Sequence, residues 1–269
     1  MSETSHDPTS TSNELVIWKY DNPYANYKLD PERIFLLNGY TLRINQKLNN
    51  IVDITQNTGN LVWDGAYILS KYIVNNLKND ATFRENIKYA APFNEIRFLE
   101  LGSGCGLAGL STWILGGFVV CKRFNSESNL KNKNKLDVGL RGEDINVFPL
   151  NWEELPQDSS NPLHISNMLP FDIILASEII YLFHLHKSLI KTIKYFSHLP
   201  CDTLEGRKEN RRTLVLGIYK DRGLGESTFF DIANKFGKMK VIWIDNNWMI
   251  KEFNNYSQEY KMFWLIPFE

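Results

Sequence analysis

Apolar and polar positions alternate along this chain in two rhythms, and the order of the rhythms outlines a fold. Arg33 to Leu37 and Tyr40 to Ile44 are short apolar runs on either side of Asn38-Gly39. Asn-Gly between such runs is a strong hairpin signal. Val62, Ala66, Leu69, Ile73 and Leu77 then recur at spacings of three and four, which is one face of an amphipathic helix. Short apolar runs follow at Ile96–Leu101, Phe118–Cys121, Ile145–Phe148 and Phe171–Ser177. Further runs lie at Thr213–Ile218, Lys240–Ile244 and Lys261–Pro267. Phe171–Ser177 is apolar almost throughout, as a strand covered on both faces should be. Helical stretches separate several of these runs, at Leu107 to about Leu115, Leu185–Phe196 and Ser227–Phe236, with Ser227 or Glu226 near the start of the last. Strand and helix in alternation predict an open, mostly parallel α/β sheet with helices on both faces. Asp245 to Gln258 reads as a polar loop, so the last two strands are expected to pair antiparallel.

One junction carries chemistry. The strand Ile96–Leu101 contains a single acid, Glu100, and breaks into Gly102, Gly104 and Gly106 before the helix begins at Leu107. Strand, glycine turn and helix grip nucleotide-like cofactors, because glycine lets the backbone come close and a helix N-terminus offers unpaired N–H groups. A dinucleotide loop places glycines first, third and sixth. The sixth place here is Leu107, so the pattern is Glu-x-Gly-x-Gly-x-Gly.

Composition narrows the range of functions. The chain has 269 residues, 43% hydrophobic and 23% charged, within the range of ordinary globular proteins. Its formal net charge of -1 provides no global basic field for nucleic acid. Cys105, Cys121 and Cys201 lie far apart without a Cys-x-x-Cys, which argues for a reducing compartment over a disulfide framework. No apolar run approaches the ~20 residues of a membrane span. Residues 1–13, rich in Ser, Thr and Asp, lack a basic start and an apolar core, and are expected to be a disordered tail, not a signal peptide. The cytoplasm is the default compartment, with the nucleus also open. Asn125–Glu143 and Leu204–Arg212 read as solvated surface loops, or else as a docking surface for an acidic partner.

Four local patterns now fall in order: Gly59-Asn-Leu-Val-Trp63-Asp64, the glycine turn, Val147-Phe-Pro-Leu-Asn-Trp152, and Phe171-Asp-Ile-Ile-Leu-Ala-Ser177-Glu178-Ile-Ile-Tyr181-Leu. Together they resemble the methyltransferase-16 group of class I protein-lysine methyltransferases, over roughly Gly59 to Phe236. The resemblance implies a Rossmann-like seven-strand sheet, mostly parallel with an antiparallel last strand, preceded by the hairpin and helix. It implies one domain over 14–269, S-adenosylmethionine as cofactor, and a monomer acting on lysine in a cytosolic protein such as a translation elongation factor or chaperone. It also implies a role for each matched residue. Gly102, Ser103 and Gly104 would present backbone N–H groups to the amino-acid part of the cofactor. Glu100 would accept hydrogen bonds from its ammonium, directly or through water. Trp63 and Trp152 would offer flat surface to its adenine or sulfonium side, although each also reads as plain core. Ser177, at the carboxyl edge of its strand, would touch the cofactor. Glu178 and Tyr181 would hold and orient the substrate lysine.

The chain departs from the group in one place. The group has an acid at the end of the second sheet strand to hold the ribose; here Arg123 stands there, and the next acid is Glu127. A basic residue at this point suits the 2′-phosphate of NADP, which keeps an oxidoreductase in view, against Leu107 and the other three matches. A catalytically weak homologue acting as a binding protein and a small-amine methyltransferase are also compatible with the pattern. His184 and His186 form a His-x-His without accompanying ligands, so no metal is expected, and both are read as pocket-rim or surface histidines. Cys105 is read as a small turn filler, not a nucleophile. Tyr219-Lys-Asp-Arg222 lines the substrate cleft or forms a surface turn.

Overall fold

A computed structural model describes residues 30–46, 59–87, 93–123, 145–155, 171–197, 213–253 and 259–268. The first 13 residues, Glu127 and both basic inserts lie outside the described residues.

The chain opens with strands β1 (Glu32–Leu37) and β2 (Tyr40–Asn45), paired antiparallel from Glu32↔Asn45 to Leu37↔Tyr40. Asn38 and Gly39 turn the corner at φ 50° and 81°, the left-handed pair that a tight hairpin requires and that Asn-Gly supplies at least strain. Helix α1 (Asp64–Asn75) and the short helix α2 (Ala81–Asn86) come next. Asp80 caps α2 by accepting from Phe83 N at 2.7 Å. Then follow β3 (Arg97–Leu101), α3 (Leu107–Ile114), β4 (Phe118–Arg123), β5 (Ile145–Pro149) and β6 (Ile173–Ser177). The chain closes with α4 (His186–Ser197), β7 (Leu214–Lys220), α5 (Thr228–Lys235), β8 (Met239–Trp243), α6 (Asn247–Phe253) and β9 (Tyr260–Pro267).

Seven strands form one sheet in the order β5-β4-β3-β6-β7-β9-β8. β3 to β7 run parallel, and β9 is antiparallel to both neighbours. The order reverses between β3, which continues to β4, and β6, which continues to β7. Carboxyl-edge loops part at that switch and leave the crevice where open α/β sheets bind ligands.

Side chains alternate across the sheet with period two. Phe98, Ile173, Leu175, Leu216 and Trp264 face one layer together with the hairpin, α1, α3 and α6. Leu99, Ile174, Val215, Phe263 and Leu265 face α4 and α5. Covering both faces explains why these strands read as continuous apolar runs.

One segment differs from the sequence reading. The polar composition of Asp245 to Gln258 predicts a loop, yet α6 forms within it. Its polar residues face outward, while Met249 and Phe253 are buried. Trp248 lies 5.2 Å from Tyr72 and Phe253 5.8 Å from Tyr67. Tertiary packing on α1 makes a helix where local composition does not ask for one.

Candidate active site

The hairpin sets the position of the site. Gln46 Oε1 accepts from Val62 N at 2.8 Å, and Arg33 Nη1 donates to Val62 O at 2.6 Å. These bonds clamp the segment before Trp63, the N-cap residue of α1, and aim the first turn of that helix at the carboxyl edge of the sheet.

Glu178 meets that first turn. It follows β6 at φ 50°, a left-handed conformation that costs a non-glycine residue and is kept only where its surroundings enforce it. Its N–H donates to Ile218 O at 2.8 Å. Its Oε1 accepts from Gly65 N at 2.8 Å, and its Oε2 from Arg222 Nη2 at 2.8 Å. The Glu178 side chain is 5% exposed and that of Arg222 is 30%. A Cβ on Gly65 would stand 2.6 Å from Glu178 Cγ, so only glycine admits this carboxylate. The α1 N-terminus and the guanidinium together stabilise its charge.

The glycine turn lies beside it. Gly102 has φ +62°, and a Cβ there would meet Ile179 Cγ2 at 2.6 Å and Trp152 Cζ2 at 3.3 Å. The turn is therefore pressed against the residues that follow β5 and β6. Trp152 is buried, and its indole backs the turn. Gly104 has φ +51°, and a Cβ there would stand 3.7–3.8 Å from the carbonyls of Leu61 and Gly59, which brings the Gly59–Trp63 segment over the loop. Ser103 is buried, and Trp63 is partly exposed at the edge of the same crevice. Ser177 ends β6 with its hydroxyl buried and unpartnered among the described residues. Tyr181 is 40% exposed at the mouth.

Two residues are placed differently from expectation. Glu100 turns away from the crevice: it is fully buried, with Oε2 accepting from Gly109 N at 2.9 Å and Cys121 Sγ 3.6 Å away. Its side chain leaves β3 on the α3 face, where the helix runs directly over the strand. Burial pushes its pKa up to about 8, against the Gly109 and Cys121 hydrogen bonds, which lower it. It ties the first turn of α3 to β3 and β4. His186 is buried, not at a rim or surface, with ring nitrogens 2.8 Å from Ile180 O and 3.0 Å from Thr228 Oγ1. It ties the loop after β6 to α5, and burial lowers its pKa. Arg222, from the segment with two open readings, reaches Glu178 with its guanidinium. Gly65 is the residue that sequence reasoning passed over; its only signal was its place directly after Trp63-Asp64.

Arg123 ends β4, paired with Pro149. Among the described residues no three His, Cys, Asp or Glu side chains stand close enough to hold a metal.

A sheet of this strand order, a glycine turn after its central strand and an acid-headed loop after the next define a class I methyltransferase. The residues fit S-adenosylmethionine: the glycine cradle that a Cβ would fill at Gly102, the unpartnered Ser177 hydroxyl and the flanking indoles match a nucleoside with an amino-acid tail. The chain belongs to the lysine methyltransferase family, whose profile matches residues 40–236. It is similar to the protein-lysine N-methyltransferase rrg1 of Schizosaccharomyces pombe, at 35% identity over 97 residues, covering 34% of this chain and 31% of that one. It is similar to EEF1A lysine methyltransferase 3 of Xenopus tropicalis, at 28% identity over 138 residues, half of each chain. These matches thus span from about a third to half of the relatives' lengths. Among solved structures it is similar to a Burkholderia thailandensis 1,6-didemethyltoxoflavin-N1-methyltransferase with bound S-adenosylhomocysteine. That likeness has a TM-score of 0.41 and 10% identity, over 84% of this chain and 96% of that one.

Proposed function

We propose that this chain is a protein-lysine N-methyltransferase of the cytoplasm, with a translation elongation factor or a chaperone as substrate. Glu178 carries the reading: a buried carboxylate in an enforced left-handed conformation, at the carboxyl edge beside the glycine turn. The Xenopus tropicalis relative, named for its action on EEF1A, supports a translation factor as the partner. Among the described residues no helix is long and apolar enough to cross a membrane.

S-adenosylmethionine supplies an activated methyl group on sulfur. Gly102, Ser103 and Gly104 would hold its amino-acid part through backbone N–H groups. Trp63 and Trp152 would flank its flat or cationic surfaces, and the Ser177 hydroxyl would take a polar contact. Lysine must be neutral to attack carbon, yet it ordinarily titrates near ~10.4. Burial at the mouth favours the neutral amine, while an unpaired carboxylate would favour the ammonium. Arg222 resolves that conflict. Its positive charge offsets that of Glu178, so the carboxylate keeps its hydrogen-bonding capacity for the lysine without fixing a proton on it. Tyr181 would border the lysine stem, and the proton leaves to water or transiently to Glu178. Alignment supplies most of the rate.

The test has two parts. Calorimetric titration with S-adenosylhomocysteine, beside NADPH, should show micromolar binding of the former alone, with Arg123 tolerated at the ribose. Labelled S-adenosylmethionine in a cytosolic extract should place label on lysine in protein, and Glu178→Gln should lose at least about tenfold in rate. Label confined to metabolites, or full activity of Glu178→Gln on the protein substrate, refutes the proposal.

A further inference from the structure

A second cleft opens at the carboxyl ends of β7 and β8, with a volume of about 700 Å³. Aromatic rings form one wall. Phe230 lies 4.8 Å from Trp243 and 5.5 Å from Tyr219, ring centre to ring centre. Trp243 is 52% exposed, so its ring is open to the cleft. Two carboxylates, Asp221 and Glu226, and one ammonium, Lys261, complete the lining. Lys261 pairs with Asp221. Glu226 is buried and accepts backbone N–H bonds from Arg222 at 3.3 Å and Leu224 at 2.8 Å. The lining is therefore net negative and faced with π surfaces, the two features that attract a desolvating cation.

The cleft is joined to the acceptor site through β7 and Arg222, since Glu178 N–H donates to Ile218 O, directly before Tyr219. Arg222 sits between Asp221 and Gly223, both in the cleft wall, and its guanidinium reaches Glu178 at 2.8 Å. The cleft therefore adjoins the site where a substrate lysine would meet Glu178.

We infer that the Tyr219–Phe230–Trp243 cleft is a recognition subsite for a basic side chain of the protein substrate, near the lysine that is methylated. The inference rests on the protein-substrate reading above. Lysine ammonium and arginine guanidinium share the required chemistry, and the volume admits either with its flanking backbone. The subsite makes the enzyme select lysines in basic surroundings and reject those flanked by acids, whose charge would oppose that of Glu226.

The probe is tri-arginine, with tri-glutamate as its counterpart. Binding is followed at the indole N–H resonance of Trp243, assigned by its loss in Trp243→Phe. Tri-arginine should move that resonance saturably and salt-sensitively, and tri-glutamate should not. Asp221→Asn should weaken tri-arginine binding about fivefold, an effect of the size expected for one exposed charge contact. Trp243→Ala, followed by calorimetry, should weaken it by a similar factor. S-adenosylhomocysteine titration of each variant keeps the outcomes separate. Intact cofactor binding without a tri-arginine response, or an equal response to tri-glutamate, overturns the subsite and leaves the methyltransferase reading standing. A tri-arginine response in a chain that binds no S-adenosylhomocysteine sustains the cleft and overturns the reading it was built on.

Discussion

Gly65→Ala isolates the contact between α1 and Glu178, because it adds one methyl group and changes no charge. Alanine stabilises a helix interior by about 1 kcal/mol relative to glycine, and in the first turn, where Gly65 stands, that is an upper bound. Here the added Cβ would stand 2.6 Å from Glu178 Cγ and 2.8 Å from Oε1. Both partners are buried, and Glu178 is already in a left-handed conformation, so neither can move aside freely. Overpacking of this kind costs about 1–3 kcal/mol. If Glu178 swings away it also loses the Gly65 N–H bond, about 1.5–3 kcal/mol for a charged acceptor. The helix gain offsets part of this, leaving a net loss of about 2 kcal/mol and a Tm lower by roughly 4–8 °C for a chain of this size. S-adenosylhomocysteine affinity should hold, since the glycine turn is untouched. Methyl transfer should fall by about a hundredfold, the usual penalty for a reacting group displaced by about 1 Å. Thermal unfolding, calorimetry and a labelled-methyl assay on one preparation measure all three. A variant with Tm at or above that of the parent and full activity would refute the claim that Glu178 is held against α1 for function.

Glu100→Gln should change the pH dependence of stability. With its pKa raised from 4.5 to about 8 in the fold, Glu100 holds a proton that the unfolded chain has lost. Stability therefore declines by up to about 1.4 kcal/mol per pH unit as pH rises between those two values, and levels off above the folded one. The amide should remove that decline, giving a Tm advantage at pH 8 that is absent at pH 5; parallel Tm profiles for the two proteins would disprove it. Arg222→Met should leave Glu178 uncompensated, stabilise the lysine ammonium, and move the rise of kcat/KM to higher pH by about one unit, with roughly tenfold lower activity near neutrality. An unchanged pH–rate profile would mean that Arg222 merely anchors the loop.

Period and turn chemistry alone determined most of the fold. Seven apolar runs, the Asn38-Gly39 corner and the Leu107 departure from a dinucleotide loop are local facts, and steric and solvation rules act on them locally. The glycine turn was legible for the same reason, whereas the Glu178–Tyr181 segment was singled out only by its resemblance to the family's acid-x-x-aromatic pattern. What only the tertiary structure decided is which partner each polar group meets. Glu100 turns under α3 because its strand parity points it at that helix, although its place in the motif suggests the cofactor. His186 is buried because Ile180 and Thr228 supply hydrogen-bond partners from elements far apart in sequence. α6 exists because α1 offers it an apolar face. Gly65, Glu178 and Arg222 stand in separate segments, each ordinary in its own neighbourhood. Their charge and space requirements agree only once the sheet has brought its carboxyl edge together, and no local pattern encodes an agreement among positions so far apart.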